Sequence, residues 1–342
     1  MKMSKVRVIS NHQAASLLKM SAAICGVEQA YAQNSNGSAC IFPMVFHEFA
    51  PGKADMDIKS GSSETTGVFG LKLVSWFGGN MERGLPALFG TNLIMDLETG
   101  APKALLNGTY ITHMRTGAAG AVGAKYLSRP DSTTLLMIGT GELAPYEIAA
   151  ALTAMEGIQT VFVVNPHHPS GMDARFDQIR LEVENLMQKE SRKAPYQLVL
   201  AENLKSAVQR ADIIITATPA RDGFLKKEWI HPGTHISCIG ADMQGKNEVD
   251  AEACKNAKLF ADDIAQSIQV GELQTATAKG YCNPSDIIEL GQVINGNAPG
   301  RTSEQEITIF DSTGIALQDL IVSAEVLKAA EKAGIGTICD LD

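Results

Sequence analysis

The chain has 342 residues, 45% of them hydrophobic, and this length and composition predict a soluble protein of two domains with a substantial core. The formal net charge is −9, from 38 acidic and 29 basic residues without a long basic block, which excludes nucleic acid as an expected partner. No apolar run approaches the roughly 20 residues that span a bilayer, and residues 1–10 lack the apolar core of a secretory signal, so we expect a cytoplasmic protein with no membrane partner.

The first 128 residues predict a mixed α+β region. A capping-box pattern at Ser10 precedes an apolar periodicity, and together they predict a helix that reaches about Ala32. Residues 68–77 and 87–97 are typical of strands, and the Gly- and Pro-containing stretch between them favours an antiparallel or mixed sheet. Residues 112–127, rich in Ala and other small side chains, return to helix.

The region 129–313 has a different pattern, in which short β-branched runs alternate with longer helix-like stretches. Most runs are continuously apolar, as in parallel strands that helices cover on both faces. The candidate strands are 134–138, 160–164, 197–201, 212–218, 235–240, 258–261 and 307–311. We therefore predict an α/β domain with a Rossmann-type, doubly wound parallel sheet, entered through a hinge at residues 129–131. The residue pattern also predicts a long amphipathic helix at 315–333 that packs back on the first region. The domain that contains this region is therefore predicted to be discontinuous, consisting of 1–128 with 314–342.

A glycine-rich turn directly follows the first strand of this region. It reads Gly139-Thr140-Gly141-Glu142-Leu143-Ala144, the G-x-G-x-x-A fingerprint between a strand and a helix. The first Gly permits the tight turn, the second lets the backbone approach a pyrophosphate, and Ala144 allows close packing of helix and strand. Free N–H groups and the helix dipole then favour an anion. The turn predicts a dinucleotide site.

The second strand ends near Asn165, where an acidic residue usually binds the adenosine ribose. No acid is present, and His167, His168 and Ser170 follow, which tilts the choice slightly from NAD toward NADP; alternatively, the histidines form only a solvated loop. NAD or NADP is left open. Later strands end at the sheet edge where open α/β sheets bind ligands. Together with Asn165 and His167 at the end of the second strand, the candidate cofactor contacts are Thr216, Ala217, Thr218, Ile239 and Gly240.

Two cations of the first region lie where a structural role is awkward. Arg115 falls in the predicted first turn of a helix, where a cation opposes the dipole. A bound carboxylate or phosphate would remove this conflict, and the alternative is a surface arginine paired with a nearby acid. Lys72 lies in the strongly apolar run 69–74, where an unpaired ammonium is costly to bury. It either reaches solvent along its stem or faces a ligand.

Asp242 comes directly after the apolar run 236–240, at the edge where a nicotinamide would lie. It is the best candidate for a general acid and base, although a loop-capping role would also explain its position. The six cysteines and seven histidines show no metal-ligand spacing, so we expect buried thiols and no bound metal.

Together these features resemble the ornithine cyclodeaminase/mu-crystallin family over nearly the whole chain. That family includes cyclodeaminases, archaeal-type alanine dehydrogenases and imino-acid or ketimine reductases. The matching blocks are Gly70-Leu71-Lys72, Gly84-Leu85-Pro86, Thr112 with Arg115-Thr116 and Ala118-Ala119, the Gly139 turn, Gly240-Ala241-Asp242 with Gly245-Lys246, Gly271-Glu272, and Asp311-Ser312-Thr313-Gly314 with Gln318-Asp319.

The resemblance implies roles for three residues. Lys72 would contact the substrate at the catalytic centre, Arg115 would bind its carboxylate, and Asp242 would be the catalytic acid and base. It also implies that the domain 1–128 with 314–342 binds substrate and forms a homodimer, while 129–313 binds the dinucleotide.

The chain also departs from the family pattern. The family commonly carries an Arg shortly before the position of Pro43, whereas residues 39–42 offer no cation. Lys59, in a segment where many members have Met-Pro-Ala, is our candidate to replace it in substrate binding. Leu143 stands where Gln is usual. These differences leave the classical cyclodeaminase assignment open.

We therefore predict an NAD(P)-dependent oxidoreductase that acts on a small amino or imino acid, by imine reduction or amino-acid dehydrogenation. In this hypothesis one cleft brings Lys72 and Arg115 to face Asp242 across the nicotinamide. An ammonia lyase of the cyclodeaminase type with recycled NAD is the alternative, followed by a non-catalytic nucleotide- or ligand-binding protein.

Overall fold

The computed structural model describes residues 5–166 and 172–341. The chain divides into two compact units: unit 1 consists of Met1–Arg115 and Ile315–Asp342, and unit 2 of Thr116–Gly314. Among the helices of these described residues, none has both the length and the apolar character of a membrane span.

Helices and strands are numbered along the chain. Up to the end of the helix that contains the unit boundary they are β1 (Lys5–Ile9), α1 (Asn11–Leu17), α2 (Met20–Asn36), β2 (Ala39–Ile41), β3 (Val45–Ala50), β4 (Ala54–Ser63), β5 (Val68–Phe77), β6 (Leu88–Asp96), β7 (Pro102–Asn107) and α3 (Thr109–Leu127). Unit 2 continues with β8 (Thr134–Ile138), α4 (Ala144–Ala154), β9 (Thr160–Val164), α5 (Met172–Met187), β10 (Gln197–Leu200), α6 (Leu204–Val208), β11 (Ile213–Thr216), β12 (His235–Cys238), β13 (Ala257–Ala261), α7 (Ile264–Val270), α8 (Leu273–Ala278), β14 (Ile287–Glu289), α9 (Leu290–Ile294) and β15 (Ile307–Asp311). The chain returns to unit 1 with α10 (Ala316–Ala333) and β16 (Thr337–Asp340).

Unit 1 is built on a mixed sheet with the order β16-β1-β7-β6-β5-β4-β2, and β3 pairs with β4. Its pairs are antiparallel except β1 with β7. Helix α10 covers one face of this sheet: a side chain on Gly61 or Gly70 would press on Leu317 or Leu320 of the helix. The sheet therefore confirms the predicted strands at 68–77 and 87–97, and α10 packs where the amphipathic pattern placed it.

The predicted helix between Ser10 and Ala32 is two helices. Ser10 caps α1 with both capping-box hydrogen bonds, as its residue pattern indicated. At Leu18 the backbone is extended, with φ −89° and ψ 120°, and this turn buries the Leu18 side chain to 3% exposure. The apolar periodicity runs through this break, so the sequence alone does not reveal it.

The sheet of unit 2 is parallel throughout its paired strands, which confirms the predicted fold class. Its order is β10-β9-β8-β11-β12-β15-β13-β14. The chain runs from β8 outward on one side and from β11 outward on the other, so the topological switch lies between these two strands. The carboxyl ends of β8 and β11 are therefore where an open α/β sheet binds its ligand.

The unit boundary falls inside α3, earlier than the boundary at 128 that the residue pattern indicated. Small residues explain the difference. A Cβ atom on Gly117 would lie 2.5 Å from the carbonyl oxygen of Tyr146 in α4, and one on Gly123 would clash with the Phe310 ring of β15. This part of α3 is thus packed against the elements of unit 2.

Candidate active site

The turn after β8 has the conformation that its two glycines predict. Gly139 has φ +115°, and a Cβ atom there would lie 2.5 Å from the carbonyl oxygen of Ala217, so only glycine fits. Nothing in the described chain lies within 4 Å of a Cβ built on Gly141. The turn leads into α4, where Leu143 is the N-cap residue and Ala144 begins the helix. Glu142, between Gly141 and Leu143, is exposed.

Two side chains hold this turn in place. Asn165, after β9, donates from Nδ2 to the Thr140 hydroxyl oxygen over 2.9 Å. Arg175, in α5, donates to the carbonyl oxygens of Thr140 and Gly141, each over 2.8 Å. The role of Arg175 has no sequence signal, because it depends on how α5 packs beside the turn.

A cavity of about 660 Å³ lies next to Asn165, at the carboxyl ends of β9 and β10. Two acids line it: Asp173, in the first turn of α5, and Glu202, shortly after β10. The predicted contact residue His167 lies outside the described residues. This is the region where a Rossmann-type sheet accommodates the adenosine half of a dinucleotide.

The candidate contacts at the end of β11 are tied to a buried acid that sequence reasoning missed. Glu248 accepts hydrogen bonds from the Thr216 hydroxyl (2.8 Å) and from the Thr218 backbone N–H and hydroxyl (2.7 Å each). It also accepts from the Gly240 N–H over 2.8 Å, and Ile239 donates its N–H to the Thr216 carbonyl oxygen. Because Thr216 is fully buried, its hydroxyl serves this network.

A second buried acid supports the first. Glu272 accepts hydrogen bonds from the backbone N–H groups of Glu248 and Val249. Burial, and then the neighbouring Glu248, raises the pKa of Glu272. Burial likewise raises the pKa of Glu248, against the hydrogen bonds from Thr218 and Thr216. The pair fixes the segment that follows Asp242 against the ends of β11 and β12.

Asp242 lies in the loop after β12, with half of its side chain exposed. Its Oδ1 accepts from the Lys246 ammonium, and the same loop is held where the Gly245 N–H donates to Gln274 Oε1 over 2.8 Å. These two hydrogen bonds and the positive φ of Gly245 fix the loop. The loop presents the Asp242 carboxylate at the surface of unit 2. Because this carboxylate is half-exposed, a ligand is able to reach it from solvent.

Unit 1 contains the two predicted cations, joined by one aspartate. Lys72 Nζ lies 2.9 Å from Asp319 Oδ2, and Arg115 Nε lies 3.3 Å from Asp319 Oδ1. Lys72 is 2% exposed and Arg115 7%. Burial, followed by the charge of Arg115, lowers the pKa of Lys72 to about 8, although Asp319 opposes the shift.

These contacts correct two arguments made from sequence. The prediction that Arg115 lies in a first helical turn is wrong, because α3 begins at Thr109 and places Arg115 in its second turn. Asp319 balances the charge of Arg115. Arg115 is thus paired with an acid, as the alternative interpretation proposed, but it is buried rather than at the surface. Lys72 neither reaches solvent nor lacks a protein partner, since it shares the same acid.

The network extends to further side chains of unit 1. Arg115 Nη1 donates to Gln318 Oε1 over 3.3 Å, and Gln318 Nε2 donates to the Tyr31 hydroxyl oxygen over 2.7 Å. Lys59 of β4 is directly opposite Lys72 of β5 in the sheet register, and its charge acts on Lys72 and Asp319. Unit 1 thus gathers the predicted substrate-binding residues Lys59, Lys72 and Arg115 at one place.

The residues of unit 2 converge separately. The turn at Gly139 meets Ala217, and Thr218 meets Gly240 through Glu248. The placement of Asp242 opposite Lys72 and Arg115 stays a prediction. Within the described chain, no group of three or more His, Cys, Asp or Glu side chains is placed to hold a metal ion.

The sequence of residues 5–333 matches the model of the ornithine cyclodeaminase/mu-crystallin family. The chain belongs to this family. Alanine dehydrogenase of Archaeoglobus fulgidus is 35% identical over 331 residues, which cover 96% of this chain and 97% of the relative. The family resemblance drawn from the residue blocks is therefore confirmed.

Solved structures match this chain over nearly its whole length. The iminosuccinate reductase of Paracoccus denitrificans in complex with NAD+ has a TM-score of 0.89 and 31% identity, over 98% of this chain and 100% of that one. The Thermococcus litoralis Δ1-pyrroline-2-carboxylate reductase in complex with NADH and L-proline has a TM-score of 0.86 and 29% identity, over 97% and 99% of the two chains.

Proposed function

We propose that this protein is an NAD-dependent oxidoreductase that reduces a small imino acid or oxidises the corresponding amino acid. The observation that carries the proposal is the turn at Gly139 and Gly141, with the conformation and the open space that a pyrophosphate requires, at the switch point of a parallel sheet. The buried cations of unit 1 supply the second half, because they suit a carboxylate. The relatives named above act on or bind substrates of this class.

The side chains have separate roles in this proposal. Arg115 and Lys72 bind the substrate carboxylate and orient the reacting carbon, which converts an encounter into an aligned complex. Asp242 gives a proton to, or takes it from, the substrate nitrogen. NAD, when bound, supplies or accepts the hydride. Glu248 and Glu272 keep the Asp242 loop and the Thr218 segment in place, and touch no reacting atom.

We propose NAD rather than NADP as the cofactor. Asp173 and Glu202 line the cavity beside Asn165, and two carboxylates there would repel a 2′-phosphate while accepting hydrogen bonds from ribose hydroxyls. The nearest arginine in α5, Arg175, is committed to the carbonyl oxygens of the turn. Asp173 comes from α5 and Glu202 follows β10, whereas the acid expected from the sequence pattern would lie at the end of β9. We therefore propose NAD in place of the slight preference for NADP that was based on that missing acid.

The direct test has two steps. Titration of the purified protein with NADH and NADPH, followed by fluorescence, is expected to give tighter binding of NADH. NADH oxidation is then measured with pyruvate plus ammonia, oxaloacetate plus ammonia, and Δ1-pyrroline-2-carboxylate. We expect turnover with at least one of these substrates. Bound NADH that no imino acid oxidises would overturn the proposal, and release of ammonia from ornithine or lysine without net NADH change would favour the cyclodeaminase alternative.

We also propose that the chain forms a homodimer through unit 1. Strand β3 and the neighbouring strands expose an unusual number of large apolar side chains. They are Phe42, Met44, Val45, Phe46, Phe49, Phe77, Met81, Leu85, Leu88 and Phe89. Exposed apolar side chains gathered on neighbouring paired strands are typical of an interface, and a second copy of the same chain is the partner that the family resemblance implies.

A further inference from the structure

Asp319 is the most constrained charged group of unit 1. Its side chain is fully buried, and each carboxylate oxygen faces a different cation: Oδ2 lies 2.9 Å from Lys72 Nζ and Oδ1 lies 3.3 Å from Arg115 Nε. It comes from α10, whereas Lys72 comes from β5 and Arg115 from α3. One carboxylate therefore joins three separate elements.

The surroundings of Asp319 favour its charged form. It lies in the first turn of α10, where the helix dipole stabilises an anion. Burial opposes ionisation, but Arg115, Lys72 and then Lys59 act against it, and the net effect lowers the pKa of Asp319. A buried acid with two cationic partners stays ionised at neutral pH, so it acts as a fixed negative charge.

That charge determines whether the two cations are able to coexist. Without it, two neighbouring buried cations would repel each other, and the lysine would release its proton more readily. With it, Arg115 keeps its Nε on Asp319 and one Nη on Gln318, and the guanidinium, which carries five N–H donors, retains others for a ligand. The Lys72 ammonium likewise has donors besides the one directed at Asp319.

We propose that Asp319 is a positioning residue that holds Lys72 and Arg115 side by side as one binding pair for the substrate carboxylate. Asp319 does not contact the substrate; it acts through the two cations. This inference rests on the proposed function, and it adds a residue to which neither the residue patterns nor the family resemblance assigned a role.

The test compares Asp319→Asn with the wild-type protein and with Glu331→Gln, a control on the exposed side of α10. Asp319→Asn is expected to raise KM for the imino acid by on the order of tenfold or more, with NADH affinity unchanged. Because Asp319 opposes the lowering of the Lys72 pKa, its loss is expected to move the rise of KM with pH to lower pH. A residue that only supports folding would not move this pH dependence.

Asp319→Glu is a second variant, included in case Asp319→Asn does not fold. It keeps the anion but shifts it by one methylene, so KM should rise while its pH dependence stays close to that of the wild type. Unchanged KM and unchanged pH dependence in Asp319→Asn would overturn the inference, as would an equal loss in Glu331→Gln. A wild-type protein that binds NADH but turns over no imino acid would instead refute the proposed function.

Discussion

The turn after β8 has glycine at two positions, and the structural reason for glycine differs between them. Gly139 has a positive φ and touches the Ala217 carbonyl oxygen, so the fold itself requires it. Gly141 has open space where a Cβ atom would stand, so the fold does not. The approach of a pyrophosphate, as proposed above, would require glycine at this position.

Gly141→Ala therefore separates binding from folding. The variant is expected to keep the melting temperature of the wild type without ligand, because no described atom lies within 4 Å of the new methyl group. Its affinity for NADH is expected to fall by about tenfold or more, since the methyl group occupies the path of the phosphates. Thermal unfolding and fluorescence titration measure the two quantities.

Gly139→Ala is the matched comparison, and it should lose both stability and binding. Wild-type affinity in Gly141→Ala would remove the turn from the dinucleotide site.

A functional residue could be predicted from sequence where burying it without a partner would cost free energy. Lys72 stands out because an ammonium in an apolar run needs a partner. Arg115 was singled out for a first helical turn that the structure does not show, because α3 begins at Thr109. Asp319 does not stand out, because it lies 204 positions after Arg115 and no local pattern joins the two. Glu248 and Glu272 escape attention for the same reason: their partners are backbone N–H groups and hydroxyls that only the fold assembles.

The crossing of α3 and α4 depends on the absence of a side chain at Gly117. Its Cβ position lies 2.5 Å from the Tyr146 carbonyl oxygen and 3.0 Å from the Glu147 nitrogen, both of which are backbone atoms that cannot rotate away. Gly117→Ala is therefore expected to destabilise the protein by about 1–3 kcal/mol.

Urea unfolding followed by circular dichroism measures this loss. Gly79→Ala, at a site with open space, is the control and should change stability little. A Gly117→Ala protein as stable as the wild type would mean that the two helices are not in close contact.

The end of β15 carries a buried acid whose ionisation opposes folding. Burial raises the pKa of Asp311 to about 7 from an ordinary value of 3.8, against a hydrogen bond from Ser267. Between about pH 4 and pH 7 the unfolded chain has lost this proton while the folded chain keeps it. The contribution of Asp311 to stability is therefore full below pH 4 and is lost as pH rises through about 7.

Asp311→Asn removes this ionisation. The wild-type free energy of unfolding is expected to fall more between pH 5 and pH 8 than that of Asp311→Asn, as urea titrations at the two pH values would show. Asp222→Asn, at an exposed position, should follow the wild type. Parallel pH dependences of Asp311→Asn and the wild type would contradict the raised pKa.

Elements were predictable where one pattern holds along their whole length. The strands of unit 2 are apolar throughout because helices cover the parallel sheet, and the predicted runs match β8, β9 and β15 to the residue. Strand β14 has only three residues, too few to show a pattern. Strand β4 is mostly polar, so its place in the sheet follows from pairing with β5 rather than from composition.

The whole molecule is expected to associate through the exposed apolar side chains around β3. Phe46 is 54% exposed there, and a charge at this position would stand in the interface of the proposed dimer. Phe46→Glu is therefore expected to convert a dimer into a monomer, as measured by size-exclusion chromatography with light scattering. Leu181 of α5 is similarly exposed, at 58%, but lies in unit 2.

Leu181→Glu is the control for a general effect of added charge and should leave the dimer intact. A monomeric wild-type protein, or equal dissociation of both variants, would contradict the assignment of this surface.

The two-unit organisation could be predicted because the residue pattern changes from mixed to βαβ and an amphipathic helix follows the last strand. The position of the boundary could not, because α3 is one continuous helix in sequence and only the packing of its glycines assigns its second part to unit 2. A boundary inside any helix that two units share is hidden from the sequence in the same way.

The order of the elements also sets the order in which the protein is completed during translation. Unit 2 is uninterrupted from Thr116 to Gly314, and all of its residues are synthesised before α10. Until then Lys72 and Arg115 have no counter-charge from Asp319, and the sheet face that α10 covers is open to solvent. The residues of the proposed dinucleotide site are therefore in the chain first, and the two cations of the proposed carboxylate site become a matched pair only once α10 has been added.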